Sequence, residues 1–576
     1  MEAVQESSLR GARKRWLLIR RQPHQTLAEI AADSPLLAQL LFNRGLRDAS
    51  AAHAFLTAAN APVADPWALA GVPAAVERLQ TAIAAGELIA IYGDYDVDGL
   101  TATAVLFHAL TRLGARLLPF IPHRILDGYG LQEGPLRRLR ADGATLIVTV
   151  DCGVSATSEI EAATALGLDV IVTDHHLAPE VLPSALAIVN PRRSDDGYPF
   201  KPLAGVGVAH RLASALLGRA LGPQAAPVAD ELIDLVAIGT VSDVMPLEGE
   251  NRTQVQQGLE RLRRRPRLGL AALMSVAGLE SAQLSAEDIA FGIAPRLNAA
   301  GRIDHARIAL DLLLAQTDSA AADLAQQLQL LNRERQEQTD RALERAREIV
   351  AAQPLAPGVV VAGDFPLGVV GLVAARLVEE FGRPALVLSV EGNLARGSAR
   401  SVSGVNVVEA LAGGSIHLTK FGGHAMAAGC SLPAERVPRL AEAFSDDVER
   451  QLGGEPLEPT FHIDAELQPS TANSFQVLEL LSRLEPCGAG NPAPVFLTRS
   501  LKLLKCEPTT NGQHLQVTFF SPSGILRGVA FRTDAPPCEI GASLDVVYRL
   551  KRNVWNGLVS PRLEVLDWSV RQPDNL

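Results

Sequence analysis

Three short β-branched runs in the first third of the chain each end in an acid or an imidazole. Leu88-Ile89-Ala90-Ile91 runs into Gly93-Asp94-Tyr95-Asp96-Val97-Asp98-Gly99, Leu146-Ile147-Val148-Thr149-Val150 into Asp151, and Val170-Ile171-Val172-Thr173 into Asp174-His175-His176. Apolar runs of this length, each followed by an amphipathic helical stretch, read as buried strands of a parallel sheet. Ligands of such sheets gather at the carboxyl ends of the strands. The three ends are therefore expected to meet in one crevice. Carboxylates crowded there repel one another unless cations neutralise them, and oxygen ligands mixed with imidazole suit Mn²⁺ or Mg²⁺.

A chain of 576 residues exceeds what one core supports, and 47% hydrophobic residues exclude an intrinsically disordered chain. No run of about 18 uncharged apolar residues occurs, and the start, Met1 to Arg21, has no apolar signal core, so a cytoplasmic protein without a membrane span is expected. The five cysteines, Cys152, Cys430, Cys487, Cys506 and Cys538, are odd in number, scattered and without a CxxC pair. They indicate reduced thiols rather than a disulfide framework or a zinc ribbon. A net charge of −11 argues against a general polycation, but a polyanion needs only a local basic track. Arg261 to Arg267, Arg333 to Arg347 and Arg549 to Arg552 are candidates, although such runs are more often solvated helix faces.

The pattern along the chain predicts a multidomain α/β protein. Residues 1–75 read as an Ala/Leu-rich helical segment, and 76–265, where strand and helix patterns alternate, as a parallel-sheet catalytic domain. Residues 266–352 read as helical; Asp318 to Ala352 lacks Gly and Pro and keeps apolar residues at spacings of three or four, which predicts one long connecting helix. A smaller α/β domain is expected over 353–453. The short alternating segments of 454–576 predict an oligonucleotide-binding β-barrel.

Taken singly, the chemical motifs are modest. Asp94-x-Asp96-x-Asp98-Gly99 resembles a calcium loop, but loop position 12 is Val105 instead of Glu, so an EF-hand is excluded. Asp151 and Asp243, the latter in Gly239-Thr240-Val241-Ser242-Asp243-Val244, each have an ordinary alternative as a cap or turn residue. Adjacent imidazoles after an acid at a strand end are more specific. Phe421-Gly422-Gly423-His424-Ala425-Met426-Ala427-Ala428-Gly429 lets backbone approach an anion and offers an imidazole donor, with a hairpin or helix start as the plain alternative.

The joint order of these motifs resembles the series of the DHH phosphoesterase superfamily, and within it the RecJ single-strand exonucleases. Gly93 to Thr101, Thr149 to Gly153, Thr173 to His176, Gly239 to Val244 and Ala294-Pro295-Arg296-Leu297-Asn298-Ala299-Ala300-Gly301-Arg302 are similar to motifs one to five. The Gly422-Gly423-His424 string, and Arg396-Gly397-Ser398-Ala399-Arg400-Ser401 before it, resemble the DHH-associated domain. The resemblance implies two divalent cations, Mn²⁺ or Mg²⁺. Asp96 and Asp98 would sit one on each, Asp151 would bridge, His175 and Asp243 would complete the second, and Asp94 would support. His176 would contact the phosphate or assist the leaving group. Arg296, Arg302, Ser398, Arg400 and His424 are the implied substrate contacts.

Two departures stand out. Where many superfamily members place a metal-ligating His, this chain has Tyr92, a poor ligand, which implies a weaker first metal. Where the family commonly shows Trp-His, Phe365-Pro366-Leu367 stands, so no role is assigned there. Glu485 to Pro492 is similar to the family's linker before the barrel. Of the barrel's aromatics, Phe519, Phe520, Phe531, Tyr548 and Trp555 are possible base platforms, with barrel core as the commoner use.

The expectation is a metal-dependent exonuclease that degrades single-stranded DNA, its 5′ to 3′ polarity implied by the resemblance alone. It would act in DNA recombination and repair, as a monomer, with single-strand-binding protein and a helicase as partners. The alternatives are a phosphodiesterase acting on short oligonucleotides or dinucleotides, and a catalytically dead DNA-binding scaffold that has lost its metal-binding acids.

Overall fold

The computed structural model describes residues 6–571 except 12–13, 265, 455–456, 510–511, 513, 532, 534–537 and 556–557. Two compact units are formed, each from separate stretches of chain: Pro62–Pro246 with Glu250–Leu457, and the remainder.

In the first unit the apolar runs form an all-parallel sheet. Its strand order is Arg116–Phe120, Leu88–Gly93, Ala144–Val150, Asp169–Thr173, Ala187–Val189. Its register sets which polar groups meet at the strand ends. Gly93 pairs with Val150, Val150 with Thr173, and Thr173 with Val189, so Asp94, Asp151, Asp174 and Asn190 are the next residues on four adjacent strands. The chain reverses its direction of progress across the sheet beside Leu88–Gly93, the kind of switch point where α/β sheets bind ligands.

Helix Val97–Arg112 starts directly behind this row and is buried over most of its length, packed on helices Gly205–Leu221 and Ile233–Ser242. Thr101 and Thr103, polar residues inside this layer, satisfy their hydroxyls by donating to the Val97 and Gly99 carbonyls at 2.8 and 2.7 Å. Helix Asp318–Ala351 is a single span of 34 residues, about 50 Å long, opened by the Thr317 side chain accepting from the Ala320 N–H. It packs on Ala294–Ile303 towards one end and on Val370–Phe381 towards the other, joining the parallel-sheet domain to the smaller one.

The smaller domain has a mixed sheet in the order Lys420–His424, Ala427–Pro433, Leu394–Arg400, Ala385–Glu391, Val359–Gly363. The Gly-rich string forms a hairpin, with His424 paired to Ala427 across a two-residue turn.

The second unit joins both ends of the chain. Phe496–Pro508, His514–Ser521, Gly524–Phe531, Ser543–Trp555 and Leu558–Val570 close into a five-stranded barrel, because the first pairs with both the second and the fourth. Leu37, Leu40 and Leu41 of helix Pro35–Asn43 share a core with Phe496, Phe519 and Tyr548. The leading segment is not purely helical. Strands Glu6–Arg10 and Arg15–Ile19 precede its helices, and the latter pairs in parallel with Thr460–Ile463. Pro486, Asn491 and Pro492 act structurally: Asn491 is buried, its amide donates to the Leu484 and Pro486 carbonyls, and Arg44 donates to Asn491 Oδ1 at 2.7 Å and to the Pro492 carbonyl.

Helix Gly249–Arg264 presses Gly258 onto Ala237 and the Ile233 carbonyl, leaving no room for a Cβ. Gly258→Ala is expected to cost about 1–3 kcal/mol by overpacking, read as a lower urea midpoint at unchanged slope. An unshifted midpoint would show that this helix pair yields freely.

Candidate active site

Each acid in the crevice is held differently. Asp96 caps helix Val97–Arg112, its Oδ1 accepting from the Asp98 and Gly99 N–H groups at 2.9 and 3.1 Å, which leaves Oδ2 outside the cap. Asp98, in the first turn of that helix and buried, receives the first N–H groups of helix Gly205–Leu221: Gly205 to Oδ2 at 2.6 Å and Val206 to Oδ1 at 2.8 Å. A helix N-terminus favours negative charge, so the Gly205-Val206-Gly207 segment fixes Asp98 as well as packing. A side chain at 205 would meet the Asp151 carboxylate, 2.6 Å from its Oδ1.

Asp151 has a φ of 62°, unusual for a residue with a side chain, while its N–H still donates to the Thr173 carbonyl at 3.0 Å. Its Oδ1 lies 3.1 Å from His175 Nε2, and Asp243 Oδ2 and Asp98 Oδ2 stand 3.6 and 3.9 Å from the same nitrogen. Asp243 is the C-cap of helix Ile233–Ser242, and its carboxylate faces His175 from that position.

Asp174 is the orienting member. Its carboxylate accepts from the Val154, His175 and His176 backbone N–H groups and pairs with His176 Nδ1 at 2.7 Å. Burial works to raise its pKa, but these bonds, His176 foremost, hold it below the usual carboxylate range. Asn190 completes the row: fully buried, it donates to the His176 carbonyl at 2.9 Å. Burial lowers the His175 pKa to about 3, which keeps the ring neutral, the form that ligates metals. For His176, burial is outweighed by Asp174, and the pKa rises to about 9.

Three overlapping ligand groups meet in this pocket: Asp94, Asp96 and Asp151; Asp98, His175 and Asp243; and Asp151, His175 and His176, which shares a member with each of the others. Within each, the ligand atoms lie within 4.8 Å of one another. Asp94 Oδ1, Asp151 Oδ1, His175 Nε2 and Asp243 Oδ2 are buried without a hydrogen-bond partner among the described residues. Orphaned oxygens and an imidazole nitrogen facing one another fit a pair of hard cations. Tyr92 takes no part in any of these groups; its hydroxyl donates to the Gly130 carbonyl at 3.0 Å and its ring lies in the core beneath.

The expected substrate residues fall into two groups. His424 lies over His176 with the rings nearly parallel, centroids 6.2 Å apart. Ser398 and Arg400 sit on one face of their strand and are bonded to each other at 2.7 Å, and Gly371, at the start of helix Val370–Phe381, packs against both. Arg302 belongs with them: it donates to the Gly368 carbonyl at 3.1 Å, and burial together with the nearby charges of Arg124, Arg335 and Arg400 lowers its pKa to about 9. Arg296 is turned to the long helix, bonding Gln329 at 2.7 Å, just after a π-helical turn at Ile289–Ile293.

Sequence reasoning names Asp174 in its strand-end motif and Arg335 within a basic run without giving either a role, and leaves out Asn190, Arg124 and Tyr129. Arg124 stacks over Tyr95, and the exposed Tyr129, between two left-handed glycines, brings its hydroxyl to 3.5 Å from His176 Nε2. Asp174 and Asn190 carry a usable signal, because each follows an apolar run as Asp94 and Asp151 do.

Burial first, then neighbouring carboxylates, raises Asp98 to about 7 and Asp243 to about 9, and pushes Asp94 and Asp151 well up. Cation binding must strip these protons, so affinity falls as pH falls. Calorimetric titration with Mn²⁺ is expected to show tighter binding and fewer released protons as pH rises from about 7 to about 9; pH-independent affinity would contradict this electrostatic picture.

Residues 88–240 match the DHH family, N-terminal domain, residues 357–450 the DHHA1 domain, and residues 463–567 the RecJ OB domain. The single-stranded-DNA-specific exonuclease RecJ of Bacillus subtilis (strain 168) is 40% identical over 558 residues, covering 95% of this chain and 70% of that protein. RecJ of Escherichia coli (strain K12) is 36% identical over 571 residues, covering 94% and 97%. Among solved structures, RecJ in complex with Mn²⁺ from Thermus thermophilus is similar with a TM-score of 0.81 at 31% identity, covering 97% of this chain and 80% of that one. With likeness of this degree along nearly its whole length, the chain belongs to the RecJ family of single-stranded-DNA-specific exonucleases.

Proposed function

We propose that this protein hydrolyses phosphodiester bonds of single-stranded DNA from the 5′ end, using two divalent cations, Mn²⁺ or Mg²⁺. One observation carries the reading: two ligand groups meet where Asp151 Oδ1 lies 3.1 Å from His175 Nε2. Asp94 and Asp96 would hold one cation and Asp98, His175 and Asp243 the other, with Asp151 placed to contribute to either group. When bound, the pair activates water and neutralises charge on the oxygens entering and leaving phosphorus.

The remaining residues orient and bind. Asp174 fixes the ring of His176, which donates to the phosphate or the departing oxygen. Ser398, Arg400, Arg302 and His424 bind backbone phosphate across the cleft, and Arg296 contacts the strand near the long helix. The reading includes action as a monomer in the cytoplasm, in recombination and repair alongside single-strand-binding protein and a helicase.

A polymer substrate is favoured over a dinucleotide by the barrel's outer face. Lys502, Phe520 and Ile525 form one cross-strand row and Lys505, Thr518 and Arg527 the next. Phe520 and Phe531 are 46% and 50% exposed, whereas Phe519 and Tyr548 are core; the Trp555 side chain lies outside those described. Cations interleaved with open aromatics suit single strands.

End-labelled single strands, with the label at either terminus, should release nucleotides from the 5′ side with added Mn²⁺. Asp151→Ala should lower release more than about 100-fold, and Asp174→Asn about 10–100-fold with Mn²⁺ stoichiometry retained. Phe520→Ala should weaken single-strand binding, measured by anisotropy, by about 1–3 kcal/mol. Full activity in Asp151→Ala would refute the metal assignment, and release from the 3′ label first would refute the polarity.

A further inference from the structure

A cavity of about 310 Å³ lies beside the metal pocket, lined by Leu177, Pro191, Arg192, Arg193, Lys201 and Pro202. None of these residues has a part in the mechanism above. Two of the segments leave the same row of strand ends, Leu177 following His176 and Pro191 to Arg193 following Asn190, and the third, Lys201-Pro202, leads into the helix whose N–H groups hold Asp98. Asn190 ties two walls together, because its amide donates to the His176 carbonyl and its Oδ1 accepts the Arg192 N–H at 2.7 Å. The cavity is therefore held by the same buried side chain that fixes the catalytic loop.

Its walls combine two chemistries. Leu177, 69% exposed, with the half-buried Pro202 beside it, offers an open apolar surface of the kind a base lies against, and Pro191 is buried behind them. Of the three cations, Arg193 is committed to Asp195 and the Ile188 carbonyl, and Lys201 to Asp196. Arg192 is exposed, and its guanidinium makes no hydrogen bond or ion pair among the described residues. An open cation beside an apolar wall fits an anion attached to a flat apolar group, which is the make-up of a nucleotide.

We propose that this cavity is a subsite for one nucleotide of the DNA strand lying beyond the pair joined by the bond being cut, with Arg192 contacting its phosphate and Leu177 its base. The subsite rests on the exonuclease reading above and adds to it a contact from the parallel-sheet domain itself, apart from the Ser398, Arg400 and His424 surface. A free mononucleotide shares the same chemistry, and the two occupants are separable.

The test compares the full-length wild type, Arg192→Ala and Arg192→Lys with Mn²⁺ on 5′-phosphorylated oligothymidylates from dinucleotide to dodecamer. For the dodecamer, KM should rise about tenfold in Arg192→Ala and less in Arg192→Lys, with the dinucleotide unaffected. The slope of log KM against log salt should become shallower by about 0.7, one phosphate contact on a single strand. Mn²⁺ titration of Arg192→Ala should match wild type, showing an intact metal site. Unchanged KM on the dodecamer overturns the subsite. So does an equal loss at every length, which would mark Arg192 as acting on the metals, or relief of inhibition by added dAMP alone, which would mark a product site. Should wild type cut none of these substrates, the exonuclease reading fails separately, and anisotropy of a labelled dodecamer still reports whether Arg192 contributes to binding.

Discussion

Register within one parallel sheet is the constraint on which the site depends. Because Gly93, Val150, Thr173 and Val189 share a rung, the four residues after them emerge side by side. Strand side chains alternate with a period of two, so a slip of one residue in any pairing would turn its polar group away from the others. The buried, β-branched character of these strands enforces that pairing, and the chemistry inherits its precision from packing.

Carboxylates in this pocket look alike in sequence and differ sharply in energetics. Asp174 has three backbone N–H donors and an imidazole, and stays charged in a buried position. Asp98 has two helix N-terminal donors, yet burial and Asp96 still raise its pKa to about 7. Asp151 has an orphaned oxygen and a strained backbone. The best-satisfied acid thus orients a neighbour, and the least-satisfied ones are left for cations. Strain and unmet hydrogen bonds concentrated at one spot are what a site under functional constraint looks like.

Much of this is legible in the sequence because it is local. Strand runs, the acids that end them and the breaker-free long helix can be read within windows of ten to thirty residues. What escapes depends on distant pairing. The anchoring role of the Gly205 and Val206 N–H groups has no local sign because they meet Asp98 across more than a hundred residues. Arg15–Ile19 reads as part of a helical segment because its strand partner is Thr460–Ile463. Asn190 is passed over because its strand is only three residues long. Arg124 and Arg335 carry no local mark separating them from ordinary surface arginines. Phe519 and Phe520 are adjacent, and only the pleat decides that one is core and the other open.

The barrel unit has a consequence for biosynthesis. Helix Pro35–Asn43 is made well before Phe496, Phe519 and Tyr548, against which Leu37, Leu40 and Leu41 pack, with the whole catalytic unit between them in the chain. Closing contacts over such a sequence separation is slow, and apolar surface left open meanwhile invites association. During translation those leucines stay uncovered while the whole intervening catalytic unit emerges from the ribosome. Helix Pro35–Asn43 is thus synthesised long before its neighbours and among the last elements of the chain to be covered by them.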